Sequence, residues 1–90
     1  MTEVTVVRSR TFVKQIEKFP VSLRRQARDR IRLLVTDAAH PLLNDHKLNP
    51  PFDGYRSINI TGDVRLVYKW ANATTLHLRA IGTHHQLYKS

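Results

Sequence analysis

The chain has 90 residues, 15 Lys and Arg against 7 Asp and Glu, a formal net charge of +8 and 41% hydrophobic residues. This length supports one core and one domain, residues 1–90, and the absence of cysteine excludes disulfides and thiolate metal sites. The excess positive charge points to nucleic acid or an acidic protein as partner, and does not separate DNA from RNA because phosphate attraction is indifferent to base and sugar.

The first residues, Met1–Thr5, hold no basic segment followed by a long apolar run. Neither a signal peptide nor a membrane span is expected, and the chain reads as cytoplasmic with no membrane partner. Val4-Thr5-Val6-Val7 is a β-branched run and predicts a strand. Ser9 or Thr11 can cap a first helix, whose apolar face is Phe12, Ile16 and Phe19 at helical spacing. Pro20 ends it.

Ser22 is expected to cap a second, longer helix with Leu23, Ala27, Ile31, Leu34 and Val35 as its buried stripe. Its other face holds Arg24, Arg25, Arg28, Asp29 and Arg32. Arg25 and Asp29 can pair one turn apart, which still leaves mostly unneutralised arginine. That face reads either as plain solvated surface or as a docking surface for rRNA or an acidic partner helix.

Residues 40–53 form an irregular stretch with Pro41, Pro50 and Pro51 and the segment Asp45-His46-Lys47-Leu48. It is long for a loop in a small domain, and such loops are often functional. Tyr55–Ile60, Val64–Trp70 and Thr75–Ile81 then predict a three-strand meander, with turns at Thr61-Gly62-Asp63 and Ala71-Asn72-Ala73. A three-residue first turn pairs Ile60 with Val64 and Ile58 with Leu66. This register gathers Ile58, Ile60, Val64, Leu66 and Tyr68 on one face, whereas a two-residue turn mixes apolar and charged residues on both. The opposite face carries Tyr55, Ser57, Asn59, Arg65, Val67 and Lys69. The helices are expected to cover the apolar face and to leave the polar one, with Arg65 near its middle, for a ligand. Strand, helix, helix and three strands make an α+β domain with a twisted, mostly antiparallel sheet.

The tail, Gly82-Thr83-His84-His85-Gln86-Leu87-Tyr88-Lys89-Ser90, offers proton-transfer groups and a stacking ring in basic surroundings, which suits RNA cleavage without a metal. Its plain reading is solvated histidines, with Tyr88 packed on the sheet. Plain readings exist elsewhere too. His46 alone reads as a loop-anchoring hydrogen bonder, Arg65 as a partner of Asp63 or Asp53, Asp63 as a turn former beside Gly62, and Tyr68 and Trp70 as packing residues. His40 is assigned no role, and His77 reads as ordinary surface. A metal site built from His40, His46, His84, His85 and Asp45 suits the tail poorly, because adjacent histidines in an extended chain point apart.

Four pieces in order, Asp45-His46-Lys47-Leu48, Gly54-Tyr55-Arg56, Arg65-Leu66-Val67-Tyr68 and Gly82-Thr83-His84 with Leu87-Tyr88, together with the two-helix N-terminal half, resemble the RelE/ParE superfamily of bacterial type II toxins. The likeness is nearest to RelE-like mRNA interferases of the YafQ type and covers nearly the whole chain. It implies a RelE-like fold, with the N-terminal strand and two helices packed on the sheet. It also implies an endoribonuclease that cuts mRNA in the ribosomal A site, needs no cofactor or metal, and is held by a cognate acidic antitoxin. The toxin alone would be a monomer, and a hetero-oligomer with its antitoxin.

Carried over by position, the resemblance makes His46, Arg65, His84, Tyr88 and Asp63 the catalytic set. Arg65 would meet the scissile phosphate, and Tyr88 stands where relatives carry a terminal ring. Lys47, Arg56, Lys69, Arg79 and His85 become RNA contacts, and Arg24, Arg25, Arg28 and Arg32 ribosome or antitoxin contacts. The implied reaction is attack of the RNA 2′-OH on the adjacent phosphorus, giving a 2′,3′-cyclic phosphate. Histidine titrates near pH ~6.5 and serves as either acid or base. Which histidine plays which part does not follow from the sequence, and the assignment adopted is His46 as base and His84 as acid.

Two departures stand out. Asn59 occupies a place where YafQ-like proteins can have another histidine, and Ala80 one where arginine is frequent. The adjacent Arg79 is expected to be a poor substitute, since neighbours on a strand point to opposite faces. The alternative is a ParE-like toxin that acts on DNA gyrase without cutting RNA. Proteins of that kind generally lack the histidine set. A nucleic-acid-binding module without catalysis is the plainest alternative, and would tolerate loss of His84.

Overall fold

The computed structural model describes residues 3–88. Met1 and Thr2, and Lys89 and Ser90 of the tail, lie outside the described residues. Strand β1 (Thr5–Arg8) leads into helices α1 (Arg10–Glu17) and α2 (Val21–Thr36), followed by a single 3₁₀ turn at Pro41–Leu43. Strands β2 (His46–Lys47), β3 (Arg56–Asn59), β4 (Val64–Asn72) and β5 (Thr75–Thr83) and a short helix α3 (His84–Tyr88) complete the chain. The sheet order is β1-β5-β4-β3-β2. Only β1 against β5 is parallel, and the intervening helices and meander supply the long connection that a parallel pair requires. The α+β reading and the mostly antiparallel sheet therefore hold.

The hairpin register is the predicted one. Ile58 faces Leu66 and Asn59 faces Arg65, and the Ile60 N–H donates to the Val64 carbonyl at 2.8 Å. The Thr61 hydroxyl closes the turn by accepting from the Asp63 and Val64 amides. Ile58, Ile60, Val64, Leu66 and Tyr68 share one core with Phe12, Ala27, Leu34, Leu76 and Leu78, so the helices do cover that face. Trp70 packs against the same core, in line with its plain reading.

Ser9 caps α1, its hydroxyl accepting from the Phe12 amide and donating to the Arg79 carbonyl at 2.7 Å. Gln15 on the same helix accepts from the Ile81 amide, also at 2.7 Å. Beyond the end of β1, then, α1 side chains satisfy backbone groups of β5 that a neighbouring strand would otherwise have to meet.

Several expectations are corrected. The second helix starts one residue before Ser22: Pro20 is its N-cap, without a side-chain bond, and the Pro20 carbonyl accepts from the Arg24 amide. The fixed φ of proline suits this cap, and its missing N–H costs nothing there. The Arg25–Asp29 pair does not form; among the described residues the one ion pair is Arg56–Asp45. The irregular stretch holds a 3₁₀ turn and β2. The second hairpin turn is shorter than expected and starts two residues later, since β4 runs through Asn72 and β5 starts at Thr75; the Asn72 side chain accepts from the Thr74 amide.

The face opposite the helices is not left open. Phe52, Val67, Ala80 and Leu87 form a second, smaller core there, with Leu48, Tyr55 and Tyr88 against it. Residues 48–55 and α3 fold over part of the sheet, and what remains between them is a pocket.

Candidate active site

That pocket is open, encloses about 290 Å³, and is lined among others by His46, Lys47, Ser57, Arg65, His84 and Tyr88. Residues from β2, β3, β4 and α3 therefore meet at one place. His46 on β2 pairs with Ser57 on β3. Its Nδ1 lies 2.9 Å from the Asn44 carbonyl oxygen. A carbonyl only accepts, so this bond places a ring proton on Nδ1, and in the neutral ring Nε2 then carries the free lone pair. The loop-anchoring reading and the base reading of His46 are thus compatible, using opposite edges of one ring.

Arg65 pairs with neither Asp63 nor Asp53. Its Nη1 donates to the carbonyls of Thr61 and Gly62 at 3.0 and 2.9 Å. Those bonds fix the guanidinium against the hairpin turn without neutralising it, and its other donors remain for an anion. Asp63 sits exposed in that turn, its amide bonded to Thr61, as its turn-former reading has it, and it does not line the pocket.

His84 and Tyr88 stand one turn apart on α3, with ring centroids 4.6 Å apart and planes tilted by 33°. Tyr88 also meets Phe52 edge-on at 5.4 Å, and Leu87 is buried beneath. Burial raises the Tyr88 phenol above its ordinary value, so near neutral pH it is an uncharged donor. The tail is thus helical rather than extended. His85 is exposed, points about 100° around the helix from His84 and does not line the pocket. Among the described residues no three His, Asp or Glu side chains converge to hold a metal.

A local sequence signal marks α3, although the reading of the tail as extended does not use it. Thr83-His84-His85-Gln86 is a capping box, in which the first side chain caps the third following amide and the last reaches back. The Thr83 hydroxyl accepts from the Gln86 amide at 3.1 Å, and Gln86 Oε1 accepts from the Thr83 amide at 2.9 Å. Gly82 makes room: a Cβ there would stand 2.9 Å from that Oε1. Replacing Gln86 by Ala is expected to weaken α3 by about 1 kcal/mol. Hydrogen exchange at the Leu87 and Tyr88 amides, faster in the variant while β4 is unchanged, checks this.

The remaining cations divide. Arg56 points to the helix side of the sheet, where its Nε donates to Asp45 Oδ1 at 2.7 Å, and it is absent from the pocket lining. Lys69 stands 4.9 Å over the Tyr55 ring and Arg79 5.9 Å over the Phe52 ring. Strict alternation, the basis of the expectation for Arg79, fails at a β-bulge, although Arg79 does not line the pocket. Val67 faces Ala80 but Tyr68 faces Leu78, which makes Arg79 the extra residue. Alternation is broken there, and Arg79 and Ala80 share the face of the second core. His40 caps the 3₁₀ turn by accepting from the Leu42 amide.

A family model described as the bacterial toxin of type II toxin-antitoxin systems, YafQ, matches residues 4–89. The chain belongs to the YafQ toxin family. Solved structures agree on the fold of this YafQ-family toxin. YafQ from E. coli strain BL21(DE3) superposes with a TM-score of 0.76 at 22% identity, over 96% of this chain and 99% of that one. The E. coli DinJ-YafQ complex gives the same values. A YoeB/ParE toxin from Agrobacterium tumefaciens gives 0.76 at 20%, over 90% and 99%. No curated protein matches the chain at a significant level. Among the described residues of the toxin, no helix is long and apolar enough to cross a membrane.

Proposed function

We propose that this toxin is a metal-independent endoribonuclease that cleaves mRNA in the ribosomal A site. The observation that carries the reading is the meeting of His46, His84 and an uncompensated Arg65 in one open pocket. His46 Nε2 takes the proton of an RNA 2′-OH. The 2′-oxygen attacks the adjacent phosphorus, and the bond from phosphorus to the 5′-oxygen breaks as His84 delivers a proton to that oxygen. The products are a 2′,3′-cyclic phosphate and a 5′-hydroxyl. Arg65 and Lys47 face the negative charge that builds on the phosphoryl oxygens, and Tyr88 offers a ring against which a splayed base stacks. Asp63 has a supporting part at most, through the turn that holds Arg65.

Lys69 and Arg79, on the same side of the sheet, extend the basic surface for flanking nucleotides, and His85 adds a further contact at α3. Arg24, Arg25, Arg28 and Arg32 are exposed on α2 without acidic partners among the described residues, and a polyanion fits them: rRNA when the toxin is on the ribosome, an acidic antitoxin when it is held inactive. The solved DinJ-YafQ structure supports an antitoxin as partner.

The test is cleavage of a defined mRNA by purified toxin, with translating ribosomes and without them. Cuts confined to the ribosomal A site, with cyclic phosphate ends, are the expected result. Growth arrest by a folded toxin that makes no cut under either condition would overturn the reading and favour gyrase as target.

A further inference from the structure

The strand that carries His46 is only two residues long and lies at the edge of the sheet, so its ladder alone holds it weakly. A second attachment lies on the other side. Asp45 faces away from the pocket, and both of its carboxylate oxygens are engaged. Oδ1 accepts from Arg56 Nε at 2.7 Å and Oδ2 accepts from the Tyr68 hydroxyl. Arg56 and Tyr68 are direct cross-strand partners on β3 and β4. Tyr68 is among the most deeply buried side chains, 1% exposed. Its phenol is raised by burial first and by the Asp45 carboxylate second, so it stays a donor.

The position of this attachment in the chain gives it a consequence. Asp45 stands between Asn44, whose carbonyl meets His46 Nδ1, and His46 itself. Asn44 is in the left-handed region at φ 48°, a conformation that asparagine tolerates better than most residues. Fixing the Asp45 side chain therefore fixes the two peptide units that decide where the Asn44 carbonyl points and how the imidazole is turned. A part-buried charge-assisted pair backed by a buried phenol is directional, and a bare packing role for Tyr68 needs only its ring.

We propose that Tyr68 and Arg56, acting through Asp45, are positioning residues for His46: they hold the Asn44 carbonyl on Nδ1 from across the sheet and so present Nε2 to the RNA 2′-OH. This rests on the reading of His46 as the general base.

The test uses Tyr68→Phe, which removes one oxygen and keeps the buried ring, in the full-length toxin. Two readouts are taken. One is kcat and KM for RNA cleavage. The other is the side-chain ¹⁵N spectrum of His46, which reports which ring nitrogen carries the proton. The expected result is a fall in kcat of about tenfold or more, in keeping with the rate cost of small misplacements, with KM little changed and the Nδ1–H form of His46 depleted. Asp45→Asn, which keeps an acceptor oxygen on a side chain of the same shape, is expected to lose less than Asp45→Ala. Should Tyr68→Phe fail to fold, the half-exposed Arg56→Gln carries the same two readouts. An unchanged kcat overturns the proposal whatever the spectrum shows. A reduced kcat with an unchanged His46 spectrum overturns it equally, because the effect then bypasses the ring. If the wild-type toxin itself cuts no RNA, the nuclease reading fails, and the spectra alone still decide whether the attachment orients the ring.

Discussion

Replacing His84 by Ala is expected to lower the rate of RNA cleavage by about 10²–10⁴-fold, the range for loss of a general acid or base, while RNA affinity stays close to that of the wild type. His84 is exposed and leans on Tyr88 rather than filling a core, so its loss leaves the packing of Leu87 and Phe52 in place. His46→Ala should cost a similar factor. The double variant should be scarcely slower than the worse single one, because groups that move one proton relay fail as a unit. Single-turnover cleavage and RNA binding, measured separately on the three variants, check this. Undiminished cleavage by His84→Ala would remove His84 from the chemistry and leave Tyr88 as the group to test next on α3. Loss of binding in parallel with rate would make the histidines anchors for RNA and favour the binding-module reading.

The second large effect is expected at Arg65. Arg65→Ala should lower kcat/KM by about 10²–10³-fold, as for removal of a positioned donor from a developing oxyanion. Arg65→Lys should restore only part of it. Lysine keeps the charge but lacks the planar fork, which here bonds turn carbonyls through Nη1 while other donors face the pocket. The comparison separates two sources of the effect. If Lys restored full activity, simple charge in the pocket would be enough and the fork geometry would be irrelevant. If Ala were as active as the wild type, the transition-state charge would have to be met elsewhere, with Lys47 the other cation in the lining.

Much of the scaffold is legible in the sequence because its signals are local. Ser9 caps α1 three residues ahead of Phe12, and that distance lies within one turn. The meander register follows from alternation across a three-residue turn, since a one-residue slip would send Ile58 or Leu66 to the face opposite the helices. The candidate site is legible in a weaker sense. His46, Lys47, Arg65, His84 and Tyr88 are singled out by type and by order, and they line one pocket. Arg56, Lys69, Arg79, His85 and Asp63 are singled out on the same grounds and do not line it, because order along the chain says neither which side of the sheet Arg56 takes nor how far from the pocket the others stand. The capping box of α3 was within reach of the sequence, and reading the tail as an extended end hid it.

By itself, then, the sequence determined the types of β1, α1, α2 and the three meander strands β3 to β5, the face of the meander that is buried, the family, and the residue types available for chemistry. Each depends on spacing within a turn or a hairpin, or on an ordered set of short motifs. The tertiary structure alone decided the rest. It turned part of residues 40–53 into an edge strand by placing Asp45 against Tyr68, 23 residues away. It closed the second core over what alternation marks as a polar face, and it moved Arg79 to that face through one unpaired residue. Contacts between distant segments have no periodicity to announce them. They form where folding brings the Tyr68 hydroxyl to the Asp45 carboxylate and Phe52 and Leu87 into one cluster, and that is a property of the folded whole.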